Sequence, residues 1–415
     1  MPHVTFVAPR FLETTNRYLA SFASLDDVTL SVISEDPEAS IPASIRPRIA
    51  GHYRVASSLD ASALTEACQG LTRSVGRIDR LAGALEQLQV PMARARDAVD
   101  IDGMRNEVAQ AFRDKDRMKA VLRAHGVPVA ASALAETPAA LAEFVAKVGF
   151  PIIVKPQAGL GARATYRVTS QEDLDPLARK GVVPSAQRPL QVEEFVRARE
   201  HTCETVTIRG NPVWRSGTRY LPTPLEVLEN PWIQYCVLLP REDTDTEWTR
   251  FHPINGAALA ALFGGAAKTA AGTALSHMEW FLRDDGTALV NEVGARPPGV
   301  GIMPLMSIAH ESDFFRDWAR LMAKDEFTGR PRKWAAGAAF LRGQGGGDRV
   351  ASVEGVDAAV EALGDALVEL RAPKVGQPRG PGYEGEGWAY VRHETTDGAK
   401  RALLRLIQGI QVRYG

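Results

Sequence analysis

The sequence predicts an α/β region followed by two α+β regions, and three observations carry that expectation. Residues 3–8 (His-Val-Thr-Phe-Val-Ala) and the stretch Val28 to Ile33 are apolar, strand-like runs separated by a helix-compatible segment, Thr15 to Leu25. Strand, helix, strand is the order of a parallel βαβ sheet. After the first hundred residues the texture changes to hairpins alternating with helices, and after Trp334 it changes again.

The elements follow in order. Ser57 to Gly70 reads as a helix, and Ile78 to Gln89 as a third, strongly amphipathic one. Arg105 to Ala124 predicts one long charged helix that stops at His125-Gly126-Val127-Pro128. Phe144 to Phe150 is helical and leads into a short buried strand, Pro151 to Pro156. A glycine loop at Gly159 and Gly161 precedes strands at Thr165 to Val168, Leu190 to Val196, Thr202 to Ile208 and Pro212 to Ser216. Beyond it, Trp334 to Leu341, Val368 to Leu370 and Gly387 to Arg392 are strands, with helices at Val356 to Leu363 and Gly398 to Ile410. No internal repeat or long linker appears, so these parts are expected to pack as one unit.

Composition narrows the function. A net charge of -1 in 415 residues, with a pI near 6.7, offers no basic surface for nucleic acid and no polybasic membrane patch. No apolar run reaches the roughly 20 residues that span a bilayer, and the opening residues lack a secretory pattern. The three cysteines, Cys68, Cys203 and Cys236, form no CxxC pair, which points to a reducing cytoplasm. The first βα turn, Ala8-Pro9-Arg10, lacks the glycine fingerprint of a dinucleotide site.

The chemistry concentrates between Ser276 and Gly299. Asp284-Asp285-Gly286 is a turn flanked by apolar strands, so a β-hairpin is expected with Glu279 near Glu292. Carboxylates among apolar neighbours are costly unless something pairs with them. They share a divalent cation such as Mg²⁺, or they are solvated or salt-bridged strand glutamates. Arg296, before Pro297-Pro298-Gly299, is either a fork for phosphate or carboxylate or a surface cation. Lys155 followed by Gly159-Leu160-Gly161-Ala162-Arg163 suggests a phosphate cradle without the Walker A pattern. Lys115 and Lys155 are noteworthy because only 10 of the 49 basic residues are lysines. Glu193-Glu194-Phe195-Val196 ends a strand and precedes Glu200-His201.

In this order, Lys115, Lys155, the glycine loop, Glu193-Glu-Phe-Val, Glu200-His201, Glu279 and Glu292-Val-Gly-Ala-Arg296 resemble the ATP-grasp superfamily, over roughly residues 105–320. The resemblance implies an ATP-grasp domain at 108–330 with a lid at about 127–190. It also implies an N-terminal Rossmann-like pre-ATP-grasp domain at 1–107 and a C-terminal α+β domain at 331–415. Lys115, Lys155 and the loop carrying Gly159, Gly161 and Arg163 would hold the phosphates of ATP. Glu193 and the backbone near Val196 would read adenine, and Glu200 or His201 would hold the ribose. Glu279 and Glu292 would ligate one or two Mg²⁺ ions, or Mn²⁺ in their place. Many members follow the second glutamate with x-Asn as a further ligand; here Gly294 stands at that position. Arg342 lies at a spacing similar to that of a substrate-side arginine in biotin carboxylase and is either catalytic or part of a structural ion pair.

The implied reaction is attack of a carboxylate on the γ-phosphate, followed by attack of an amine on the acylphosphate. The ending Glu-Val-Gly-Ala-Arg looks most like the L-amino-acid ligase and carnosine-synthase group, whose partners are small carboxylates and amines, amino acids in particular. A homodimer is a family-level expectation. The alternatives are a carboxylase or formyl-group ligase, or a non-catalytic ATP-binding regulator. On the metal reading, Glu292→Ala abolishes ATP turnover and leaves the circular dichroism spectrum intact; unchanged turnover would contradict it.

Overall fold

A computed structural model of the chain describes residues 1–157, 164–230, 232–242, 246–380 and 382–415. At the N-terminus, strand His3–Val7 lies between Thr29–Ser34 and Arg80–Ala82, with Ile49–Arg54 outermost, and all pairs run parallel. Every residue of His3–Val7 is buried, as expected of a central parallel strand covered on both faces. Val4 and Phe6 meet Leu19 and Phe22 of helix Glu13–Ala23 on one side. Val7 meets Leu64, Leu71 and Met92 on the other.

Two expected helices are not formed as read. Within Ile78 to Gln89, Arg80–Ala82 is a strand that completes the parallel sheet, and the helix starts only at Gln89–Val99. Ile78, Leu81, Leu85 and Leu88 are spaced like a helical face, but they bury through a strand and a tight turn. At Gly83 an added Cβ would come within 2.9 Å of the Met92 sulfur. The long helix from Arg105 is broken at Asp114 into Asn106–Arg113 and Lys115–Ala124. The Asp114 carboxylate accepts from the backbone N–H of Asp116 (3.0 Å) and Arg117 (3.1 Å), capping the second helix. The break re-aims Lys115 and Lys119, one turn apart, into the centre of the molecule.

A small antiparallel sheet follows, ordered Ser132–Ala135, Leu190–Glu194, Ile152–Pro156, Tyr166–Val168. Its strands alternate by strict period two. Val154 and Val192 pack on Leu141 and Phe144 of helix Pro138–Val148. Ile153, Lys155 and Glu193 face the opposite way, towards the cleft.

The largest sheet has eight antiparallel strands. Its order is Ala288–Gly294, Ala274–Leu282, Arg199–Ile208, Asn211–Leu221, Tyr235–Leu239, Ala335–Leu341, Gly387–His393 and Leu367–Arg371. Its last three strands come from the C-terminal region, so that region extends the central sheet through the pairing of Tyr235–Leu239 with Ala335–Leu341. Behind it, Trp280 stacks on Phe251 of helix Thr246–Phe263 with ring centroids 3.9 Å apart. Asp114→Ala removes a helix cap and should lower stability by about 1 kcal/mol in chemical denaturation.

Candidate active site

The hairpin forms as expected. Strands Ala274–Leu282 and Ala288–Gly294 pair with Glu279 directly opposite Glu292. The Asp285 carboxylate accepts from the Thr287 N–H at 2.8 Å, and Gly286 takes the left-handed conformation (φ 83°) that closes the turn. The neighbouring strand Arg199–Ile208 sets Glu204 opposite His277, Thr202 opposite Glu279 and Glu200 opposite Phe281. Cross-strand partners share a face, so this sheet surface carries a band of ionisable side chains. It forms one wall of a cavity of about 400 Å³ whose other walls come from the small sheet and from residues 223–229.

The cations of the cleft are held by carboxylates. Lys115 Nζ makes an ion pair with Glu292 Oε1. Glu193, only 4% exposed, lies between Lys119 Nζ at 2.6 Å and Lys155 Nζ at 2.9 Å. Burial alone would raise the Glu193 carboxyl, but the two ammonium groups outweigh it and hold it at about 2. Burial likewise opposes ionisation of Glu292, and Lys115 with Lys155 brings it to about 2. Burial lowers Lys119 to about 8 despite Glu193. Lys155 suffers the same burial but moves up instead, because Glu193, Glu292 and Glu279 all surround it. Lys155 therefore stays charged in the cleft.

Arg296 forks onto a carboxylate, and that carboxylate is the chain's own. Its Nε and Nη2 donate to Glu86 Oε2 at 3.1 and 3.0 Å. Burial would lower the guanidinium, and Glu86 raises it beyond its ordinary value. His277 joins the fully buried Glu204 (Nδ1 to Oε1, 2.8 Å) to Glu279 (Nε2 to Oε1, 3.6 Å). These two carboxylates overcome the desolvation of the ring and raise it to about 9. Burial and the adjacent Glu279 push the Glu200 carboxyl well above the usual range.

Lys115, Lys155, Glu193, Val196, Glu200, Glu279, Glu292 and Arg296 all line the one cleft. Three expectations need correction. His201 sits next to Glu200 on an extended strand and so points the other way. It is 1% exposed, contacts Glu247 at 3.2 Å, and packs against Trp248 and Trp280, on the side of the sheet away from the cleft. Arg342 is not among the residues lining the cleft. Its Nη1 donates to the Ile233 carbonyl and its backbone exchanges hydrogen bonds with the Gln234 side chain at 3.1 Å. Glu193 has both oxygens engaged by lysines, so its carboxylate does not present itself to an adenine edge. Gly159, Gly161 and Arg163 lie outside the described residues.

The structure adds Lys119, Glu86, His277 and Tyr383 to the site or its immediate support. Two of these had a signal in the sequence: Lys119 is four residues from Lys115 on a helix, and His277 is two from Glu279 on a strand. Glu86 and Tyr383 had none, because each arrives from a remote region. Among the described residues no group of three or more His, Cys, Asp or Glu side chains could hold a metal ion. The facing pair Glu279 and Glu292 nevertheless offers two hard oxygen ligands on one wall. That set fits Mg²⁺ when nucleotide phosphates and water supply the remainder.

The buried triad predicts an acid response. Glu193 has a folded value below its ordinary 4.5, so its stabilisation is complete above 4.5 and is lost as pH falls towards 2. Thermal midpoints should fall across that window. Glu193→Gln should flatten the fall and lower the neutral-pH stability by about 3 kcal/mol, because two buried lysines lose their counter-ion.

Comparison with known proteins places this cleft in context. Residues 114–209 match the family described as carbamoyl-phosphate synthase L chain, ATP binding domain. The C-terminal section of the carbamoyl phosphate synthase large chain of Methanopyrus kandleri is 26% identical over 174 residues, 41% of this chain and 31% of that protein. The L-arginine-specific L-amino acid ligase of Bacillus subtilis is 25% identical over 236 residues, 55% of this chain and 54% of the ligase. The chain thus spans between about a third and a half of these two relatives' lengths. Among solved structures, an L-amino acid ligase from Bacillus licheniformis superposes with a TM-score of 0.76 at 17% identity, covering 100% of this chain and 99% of the ligase. N5-carboxyaminoimidazole ribonucleotide synthetase from Thermotoga maritima gives 0.69 at 18% identity, with 100% of both chains covered. The chain has the ATP-grasp fold and resembles the carboxylate–amine ligases built on it.

Proposed function

We propose that the protein is a ligase that uses Mg-ATP to phosphorylate a carboxylate and joins the product to an amine, releasing ADP and phosphate. The observation that carries this reading is the juxtaposition of Glu279 and Glu292 with Lys115 and Lys155 across one cleft. Lys155, buried and kept charged, meets the phosphates from the lid side; Lys115 meets them from the helix that Asp114 caps. Glu279 and Glu292 would hold a divalent cation there, which would supply charge neutralisation for phosphoryl transfer. Phe195, Val196 and Phe281 give an apolar wall suited to adenine, and Glu200 stands beside it for the ribose.

Arg296 and Glu86 place a cation and an anion side by side in the same cleft. An amino acid carries the complementary pair of charges, and exchange of the internal pair for a zwitterion conserves charge. Arg296 then orients the attacking carboxylate and stabilises charge as the acylphosphate forms. Enclosure between the two sheets keeps water from that acylphosphate. The whole-length likeness to the Bacillus licheniformis L-amino acid ligase supports a peptide- or amide-forming activity. In a second reading the acid is bicarbonate, favoured by the likeness to N5-carboxyaminoimidazole ribonucleotide synthetases. On either reading the partners are small molecules and the compartment is the cytoplasm; no described helix is long and apolar enough to cross a membrane.

Phosphate release from Mg-ATP, screened over amino-acid pairs and over bicarbonate with amines, tests both, with products identified by mass spectrometry. We expect release that requires both an acid and an amine. Absence of ADP with every pair, bicarbonate included, would overturn the ligase reading. Arg296→Ala should raise KM for the acid by about tenfold or more, the equivalent of at least one charge-assisted contact.

A further inference from the structure

The strand Ala288–Gly294 carries one residue more than its partner beside the paired glutamates. Glu279 pairs with Glu292 and Trp280 with Val290, which leaves Asn291 as the extra residue of a β-bulge. The bulge changes which side chains share a face. In an unbroken strand Val290 and Glu292 would point the same way. Here Val290 and Val293, both fully buried, enter the core with Trp280 and Met278, whereas Asn291 and Glu292 both line the cleft. The carboxamide of Asn291 lies against the first glutamate, Nδ2 to Glu279 Oε2 at 3.4 Å. Gly294, two residues beyond Glu292, has no side chain to offer.

On the nucleotide reading above, on which this step rests, we infer that Asn291 is a third protein ligand of the cation shared by Glu279 and Glu292, binding through its amide oxygen. Beside the bare carboxylate the amide presents its N–H; rotation of the terminal amide presents Oδ1 at the same place. Two carboxylates and a neutral amide give Mg²⁺ half of an octahedral shell and leave the rest to phosphate oxygens and water. The bulge is thus the device that brings a third oxygen donor to a site that two glutamates alone leave under-supplied, and it does so without adding charge.

The test uses Mn²⁺ as the probe and ADP as the nucleotide, with free Mn²⁺ measured by electron paramagnetic resonance on the full chain. Asn291→Ala should weaken Mn²⁺ binding in the presence of ADP by about tenfold or more, and Asn291→Asp should stay within about threefold of wild type or bind more tightly. If Asn291→Ala does not fold, Asn291→Leu, of matched size, takes its place. An apolar variant that binds Mn²⁺ as wild type does, or an Asn291→Asp as weak as Asn291→Ala, overturns the assignment of Asn291 and leaves the nucleotide reading standing. Wild-type protein that binds no Mn²⁺ with ADP present overturns that reading, and Asn291 with it.

Discussion

Glu193 enters the interior as a charge, and the chain surrounds it with two ammonium groups from different parts of the fold. Lys119 comes from the helix that Asp114 caps, and Lys155 from the adjacent strand of the small sheet. Removing one partner from such a group leaves an uncompensated buried charge, a cost of several kcal/mol. The triad therefore fixes the small sheet against the helix and aims Lys155 into the cleft. The positions of Lys115 and Glu292 follow from it, since Lys115 begins the same helix and Glu292 completes the charge around Lys155.

Strand parity decides the rest of the site. On Arg199–Ile208, Glu200 and Glu204 take the cleft face, and His201 between them joins the tryptophans behind the sheet. On Ala274–Leu282, His277, Glu279 and Phe281 share the cleft face. One shift of register beside Glu279 then puts two consecutive residues, Asn291 and Glu292, into the same space. A wall so dense in ionisable groups stays stable because most charges have a neighbour of opposite sign: Lys115 with Glu292, Arg296 with Glu86, His277 with Glu204. On the proposed function these internal pairs hold the places of ligand charges. On that reading Lys115 and Glu292 would neutralise each other until nucleotide and cation arrive together, and Arg296 with Glu86 would do the same for an amino acid.

Local chemistry was the legible part of the sequence. The turn Asp284-Asp285-Gly286 between apolar strands specified the hairpin, and with it the facing of Glu279 and Glu292. The apolar runs at the N-terminus specified the parallel sheet, although the spacing of Ile78, Leu81, Leu85 and Leu88 imitated a helix where a strand and turn form. Asp114 was a readable cap signal lost within a run of charges, and missing it hid the alignment of Lys115 with Lys119.

By itself, then, the sequence determined the class of fold, the hairpin and the charged residue types that gather in the cleft, because these depend on patterns within a few residues of one another. Only the tertiary structure decided which side chains the cleft receives. It supplied Glu86 to Arg296 across more than two hundred positions, turned His201 inward, tied Arg342 to Ile233 and committed Glu193 to two lysines. Those outcomes depend on which face of a strand meets which neighbour and on where a buried charge finds its counter-ion. Neither is encoded in local spacing.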